Sequence, residues 1–318
     1  MIKSVFFCAL NEIKVKEDLG EGICLVPNEK DVSYPRIYIT NNKKEKERLF
    51  NQATVNAIGY IEYHDILNSE LIAYSLGEFP DDEISPIEYL NKYLSMLRVY
   101  FFCTWLIKDN SANFDLGFLC YENKRNEFEV SSNFFNYHNY NSDGKSSITE
   151  FTKHELLNAA KILFDNTIVG EKVDTTASER RYGKTSTAGH FVQFARVCND
   201  IGLKMTNYCS ALETLFSTNN TELSHRLSER ISLFIGTNKK ERIELYKTLK
   251  SSYHIRSKVI HGGSFKNGQI VEMRILIRKM DEICRKVLTS SLSAPENENI
   301  FDLNNEELDE FFMKKIME

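Results

Sequence analysis

The residues best suited to chemistry are an arginine and a histidine separated by four residues, Arg256 and His261 in the stretch RSKVIHGG. Histidine changes its charge near neutral pH, so it can accept and donate protons. Arginine keeps its positive charge in a protein and therefore needs an acidic side chain, a partner chain or a phosphate beside it. The pair is thus a candidate for acid–base chemistry next to an anion.

Arg256 lies on a predicted helix, KKERIELYKTLKSSYHIRSKVIH, which is stopped by Gly262 and Gly263. At about 100° per residue, the arginine projects into the middle of the apolar face of this helix. That face consists of Leu245, Leu249, Tyr253 and Ile260, flanked by Val259. One interpretation is a structural ion pair inside a helical bundle, with Glu213 in SALETLF as the acid.

His261 occupies the last position of the predicted helix, where the helix dipole favours a positive charge by about 0.3 to 1 kcal/mol. The alternative to a catalytic role is a histidine that only caps the helix. Five residues at about 100° place Arg256 and His261 roughly 140° apart around a straight helix. They can share one small target only if the last turn unwinds at the glycines or a second chain completes the site.

The whole chain has the composition of a soluble globular protein. Its 318 residues exceed the usual size of one domain, about 100 to 200 residues, which predicts two domains. Apolar residues make up 42% and charged residues 27%, which indicates a chain able to bury a core. The seven cysteines are scattered without a Cys-x-x-Cys pair, so we expect reduced thiols and neither disulfides nor zinc.

We expect the protein to be cytoplasmic and to have no membrane segment. The longest apolar run, residues 97–107, is interrupted by Arg98 and is shorter than the roughly 20 residues that cross a bilayer. The N-terminal stretch MIKSVFFCALNEIK is shorter and more polar than the core of a signal peptide and lacks a small-residue cleavage site.

The charge is distributed unevenly along the chain. Residues 187–291 contain 17 Lys and Arg against 9 Asp and Glu, a net charge of +8, whereas the remainder carries −13. Because the Debye length is about 8 Å at physiological salt, a basic segment can bind phosphates although the protein as a whole is acidic. The other interpretation of this segment is a solvated charged surface on helices.

The first 170 residues mix strand-like and helical segments, so residues 1–170 are predicted to form an α+β domain of unknown role. Segments rich in Ile, Tyr and Val predict strands at RIYIT (36–40), AIGYIEYHDI (57–66) and LIAYSLGEF (71–79). Ser85, Pro86 and Glu88 are typical of a helix start and predict a helix over 86–107. Two strands joined by ENKRNE and a helix near 150–165 follow.

The C-terminal part is predicted to be helical. Residues 171–188 are polar and rich in Gly, Ser and Thr, which indicates a linker. Residues 189–292 show apolar side chains at steps of three and four, which predicts an antiparallel bundle of four or five helices. Residues 293–318 form an acidic tail with a short helix in NNEELDEFFMKKIME.

This helical part resembles the HEPN superfamily, and most closely its ApeA-like branch. The resemblance covers about residues 187–290 and rests on three patterns. They are the Ala-Leu-Glu helix SALETLF, a Ser-x-Arg-x-x-x-Arg rhythm at Ser224, Arg226 and Arg230, and the run Tyr-x-x-Arg-Ser-x-x-x-His-Gly that ends at Gly262.

The resemblance implies a helical bundle that dimerises so that two Arg-x4-His motifs face each other across a cleft. Family members are commonly endoribonucleases of toxin, antiviral-defence and RNA-guided systems, and they need no metal or other cofactor. Carried onto this chain, His261 is the general acid and base, Arg256 stabilises the phosphorane, and Glu213 orients the arginine. The 2′-hydroxyl of the RNA attacks and leaves a 2′,3′-cyclic phosphate.

The chain departs from the family pattern in two places. The residue after the arginine is Ser257, where strongly active relatives often have Asn, Asp or His, although the ApeA-like branch tolerates Ser. No tyrosine follows His261 by two or four residues, which argues against the toxin subtype whose tyrosine is nucleotidylated by a partner antitoxin. Ser257 and the expected burial of Arg256 favour an alternative, a non-catalytic module for dimerisation or for binding nucleotides or RNA.

His254 and Lys258 lie one turn apart on the side of the helix that carries His261. They either contact the RNA backbone or are merely exposed polar residues. The expected partners are thus RNA, a second copy of the chain, and a phage-derived or cellular trigger sensed by residues 1–170.

Overall fold

The chain forms two compact units in the computed structural model. The first comprises Met1–Asn139 and Ser146–Asp174, and the second comprises Tyr140–Lys145 and Thr175–Glu318. The structure describes residues 2–25, 36–79, 85–123, 125, 127–134, 138–165, 183–219, 223–295 and 298–317. The first unit is α+β and the second is helical, which confirms the predicted order of fold classes.

An antiparallel sheet of six strands organises the first unit, in the order β3-β4-β5-β1-β6-β7. The apolar N-terminal stretch forms its long strand β1, which pairs with β5 and β6. The short strands β2 and β8 pair in parallel beside it. The strand bounds are β1 Ile2–Asn11, β2 Ile13–Val15, β3 Ile23–Cys24, β4 Tyr38–Thr40, β5 Leu71–Phe79, β6 Asn113–Glu122, β7 Phe128–Phe134 and β8 Thr149–Phe151.

Both faces of this sheet are covered. Neighbouring side chains of a strand point to opposite sides, so β1 contributes to the packing on each face. Phe6 packs on one side into the core that contains residues of α4 and α5, whereas Phe7 packs on the other with residues of α2 and α3. The helix bounds are α1 Lys43–Arg48, α2 Gln52–Ile58, α3 Tyr60–Asn68, α4 Pro86–Ile107 and α5 Lys153–Asp165. None of the helices in the described residues has both the length and the hydrophobicity to traverse a bilayer.

The strand predicted at residues 57–66 is wrong. Ile58 ends α2 and Tyr60 begins α3, with Gly59 between them at a φ of 96°. Thr54 and Ile58 are buried four residues apart in α2, and Ile66 is buried in α3, whereas Ile61 is 73% exposed. The β-branched and aromatic composition favoured a strand, but burial against the sheet selects a helical period in this segment.

The second unit consists of helices packed around a central one, α7. Its helices are α6 Lys184–Val197, α7 Ile201–Phe216, α8 Leu223–Ile235, α9 Lys239–Ile260, α10 Asn267–Leu292 and α11 Asn305–Met317, with a 3-10 turn at Ile300–Asp302. The helix α7 contacts α6, α8, α9 and α10, and buries Met205, Tyr208, Leu212 and Leu215 among them. The core of the second unit is therefore built around α7.

The unit boundaries differ from the predicted ones in three places. Residues 171–182 of the predicted linker lie outside the described residues, and α6 already begins at Lys184. The segment Tyr140–Lys145 belongs with the helices, because the fully buried Lys204 binds the Tyr140 carbonyl at 3.3 Å. The acidic tail is likewise packed, since Leu308 and Phe312 are buried.

Candidate active site at the end of α9

Arg256 and Glu213 form an ion pair between α9 and α7. The Nη2 atom of Arg256 lies 3.4 Å from Oε2 of Glu213, and the side chains are 30% and 19% exposed. At the start of α7, a Cβ on Gly202 would lie only 3.0 Å from Cγ2 of Val259, so the glycine permits a close approach to the end of α9. The two residues that sequence reasoning paired are therefore brought together.

The pair is only partly satisfied. In the described part of the chain, Oε1 of Glu213 and Nε of Arg256 are buried and have no hydrogen-bond partner. Burial raises the pKa of Glu213, and the charge of Arg256 offsets only part of this effect. The guanidinium consequently retains donor capacity that its single contact with Glu213 does not use.

The buried side chains beside the Arg256–Glu213 pair carry no charge. Tyr253 is buried on α9 and its hydroxyl donates to the carbonyl of Cys209 at 3.4 Å. Burial raises the pKa of both Tyr253 and the Cys209 thiol well above the usual range, so neither group ionises at neutral pH. These residues shape the surroundings of Arg256 without adding charge.

The predicted apolar face of α9 is correct in its middle and wrong at its end. Leu249 and Tyr253 are buried, but Ile260 is 50% exposed. Instead, Ser252 and Ile255 are buried near this end of the helix. Arg256 therefore sits at the border of the buried face and not at its centre, which explains its partial exposure.

His261 is the C-cap of α9 and is exposed to solvent. Its backbone N–H donates to the Ser257 carbonyl at 3.2 Å, which continues the helical pattern to the last turn. The neighbouring Ser257 is also exposed. Because α9 does not unwind before His261, the separation from Arg256 that follows from the spacing, roughly 140°, is retained within one chain.

The two glycines after His261 complete a Schellman motif. Gly262 has a φ of 70° and donates to the Val259 carbonyl at 3.0 Å, and Gly263 donates to the Lys258 carbonyl at 2.8 Å. A Cβ on Gly263 would lie 2.5 Å from Cγ of Lys258. Helix termination alone thus accounts for the two glycines of the motif.

His254 and Lys258 line a groove of about 300 Å³ between α9 and α10. We call this the α9–α10 groove, and Lys250, Phe265, Gln269 and Glu272 also line it. Sequence reasoning missed Phe265 and Gln269, because the way α10 packs against α9 cannot be read from the spacing within either helix.

The arginines of the Ser-x-Arg-x-x-x-Arg rhythm bind the C-terminal helix. Arg230 is buried and donates to the Phe216 carbonyl at 2.9 Å and to Asp309 on α11. Arg226 lies 3.3 Å from the same Asp309 carboxylate. Both arginines therefore have a structural role that involves no nucleic acid.

Within the described residues, no three or more His, Cys, Asp or Glu side chains are grouped so that they could hold a metal ion. Comparison of the chain with protein-family models, curated proteins and solved structures finds no match.

Proposed function

We propose that the protein is a metal-independent endoribonuclease of the HEPN type that acts as a toxin or antiviral-defence effector under the control of its N-terminal unit. The observation that carries this proposal is the exposed His261 at the end of α9, five residues beyond an arginine with unused donor capacity. The resemblance of the helical segment and its net positive charge support the same chemistry.

The reaction needs one proton acceptor, one proton donor and a cation. One His261 imidazole removes the proton of the RNA 2′-hydroxyl, and the 2′-oxygen then bonds to the adjacent phosphorus. The bond from phosphorus to the 5′-oxygen breaks, and this oxygen takes a proton from an imidazolium. Arg256 stabilises the charge on the phosphorane. Because the two groups lie far apart around α9, we propose that a second copy of the chain completes the site.

Cleavage of labelled single-stranded RNA in the presence of EDTA tests this function. We expect products with 2′,3′-cyclic phosphate ends, and a loss of about 10² to 10⁴ in rate for His261→Ala. Arg256→Ala should lose activity as well, whereas His154→Ala, an exposed histidine of the first unit, serves as the control. Cyclic-phosphate ends that form equally with His261→Ala would refute the proposal.

A second candidate is a non-catalytic dimerisation or binding module. The observation that favours it is that the ion pair with Glu213 and the Schellman motif account for Arg256 and both glycines without RNA. The two candidates differ in what Arg256→Ala changes. A structural arginine affects mainly the free energy of unfolding, whereas a catalytic one affects mainly the cleavage rate.

A further inference from the structure

The α9–α10 groove carries a net positive charge. Lys250 and Lys258 contribute two ammonium groups, His254 contributes an imidazole, and Glu272 contributes a carboxylate. Among the residues that the structure describes, neither lysine forms an ion pair. A groove with this composition attracts an anion, and phosphate is the anion that such lysines commonly bind.

Lys258 is oriented by uncharged groups. Its Nζ atom lies 3.3 Å from Oε1 of Gln269 and 4.5 Å from the centre of the Phe265 ring. An amide oxygen and an aromatic ring fix the position of the ammonium without cancelling its charge. The ammonium therefore remains available to a phosphate.

The groove also offers an aromatic ring and an amide next to these cations. Phe265 is only partly buried, so its ring can stack with a nucleobase. The Gln269 oxygen accepts from Lys258 and from the Lys266 backbone N–H, and its amide nitrogen can donate to a base edge. The volume of about 300 Å³ lies at the lower end of small-molecule sites, which span roughly 300 to 1,000 Å³. This size suits one nucleotide and not several.

The groove lies on the same side of α9 as His261. Residues seven apart on a helix fall within about 20° of each other, which aligns His254 with His261, and Lys258 is one turn before His261. The rise from Lys258 to His261 is about 5 Å along the axis. A strand that places one phosphate at His261 can therefore place a neighbouring nucleotide in the groove.

We propose that the α9–α10 groove binds one nucleotide of a single-stranded RNA next to the phosphate at His261. Lys250 and Lys258 contact its phosphate, Phe265 stacks on its base, and Gln269 contacts the base edge. The proposal rests on the proposed ribonuclease function and identifies the substrate as a single strand, because a base-paired nucleotide cannot present its face to Phe265.

Binding of a fluorescent 2′-O-methyl oligonucleotide to the full chain tests the groove separately from catalysis, since this strand has no free 2′-hydroxyl. We expect Phe265→Leu to weaken binding about 5- to 100-fold, and Phe265→Tyr, which keeps the ring, to bind more tightly than Phe265→Leu. Lys258→Gln should weaken binding and reduce the salt slope by about 0.7. Lys247→Gln removes a charge from an exposed position of the same helix outside the groove and should change affinity less than about twofold.

Two results would overturn the groove site. One is wild-type affinity in both Phe265→Leu and Lys258→Gln, and the other is an equal loss with Lys247→Gln, which would indicate a general charge effect. Competition by free AMP and UMP as strong as that of the strand would overturn the assignment to RNA. Thermal melting of Phe265→Leu verifies folding, and Lys258→Gln tests the same site at a second residue.

The same variants distinguish failure of the groove from failure of the proposed function. If Phe265→Leu and Lys258→Gln cleave RNA as fast as the wild type does, the groove site is refuted while the ribonuclease function stands. Weakened binding in these variants, together with full strand cleavage by His261→Ala, would refute the catalytic role of His261 while the groove stands.

Discussion

Glu213 shows how a single carboxyl group responds to burial when its counterion is incomplete. Arg256 contacts one of its oxygens, and the other oxygen is buried without a partner among the described residues. Loss of hydration therefore outweighs the attraction of the arginine, and burial raises the pKa of Glu213. The carboxyl in this position contacts the arginine through one oxygen only and leaves other guanidinium donors unused.

This shift of the Glu213 pKa predicts how stability depends on pH. The folded protein binds the Glu213 proton more tightly than the unfolded chain, so stability is lost as the pH rises from the ordinary carboxyl range through the raised pKa. We expect the free energy of unfolding of Glu213→Gln, relative to wild type, to increase from roughly pH 4 to pH 7.

Urea denaturation at several pH values provides the measurement. Glu244→Gln is the control, because Glu244 is exposed on α9 and stays in contact with water. A difference between Glu213→Gln and wild type that is the same at every pH would show that burial does not dominate at Glu213.

Helix termination at α9 determines where the backbone of His261 lies. The left-handed conformation of Gly262 turns the chain away directly after the histidine, which leaves the imidazole at the exposed end of the helix. The position of His261 at the end of α9 thus depends on a residue that has no side chain.

Gly262→Ala should destabilise the protein by about 1 to 2 kcal/mol, because an alanine must adopt a positive φ there. Gly268→Ala is the matched control, since Gly268 lies in α10 without a positive φ, and a Cβ added there would meet no atom within 4 Å. It should be neutral or stabilise by up to about 1 kcal/mol. Equal melting temperatures for the two variants would exclude a strained cap at Gly262.

Local signals sufficed for most elements but not for the site. Ser85 and Glu88 form the capping box that starts α4 at Pro86, as the sequence predicted. The mistaken strand at 57–66 arose because composition does not reveal which period packs against a sheet. Glu213 was identified because its helix belongs to a recognisable pattern, whereas Phe265 depends on tertiary packing that no local spacing contains.

At the scale of the whole molecule, the separation of Arg256 and His261 around α9, roughly 140°, is the reason we propose that two copies of the chain share one site. If a second copy completes the site, the cleavage rate per chain must fall when dilution dissociates the dimer. We expect specific activity to decrease in parallel with the dimer fraction measured by analytical ultracentrifugation. A rate per chain that stays constant down to a fully monomeric sample would contradict a shared site.

The helical unit is not one continuous stretch of sequence. The chain enters it at Tyr140 and leaves it after Lys145, and the Asp143 carboxylate accepts from Arg278 on α10 at 2.8 Å. A recombination event that joined residues 175–318 to a different N-terminal domain would leave these six residues behind, and Lys204 would lose one of its carbonyl partners. A replacement N-terminal unit without an equivalent insertion would therefore remove the contacts of Lys204 and Arg278 with this segment from the helical unit.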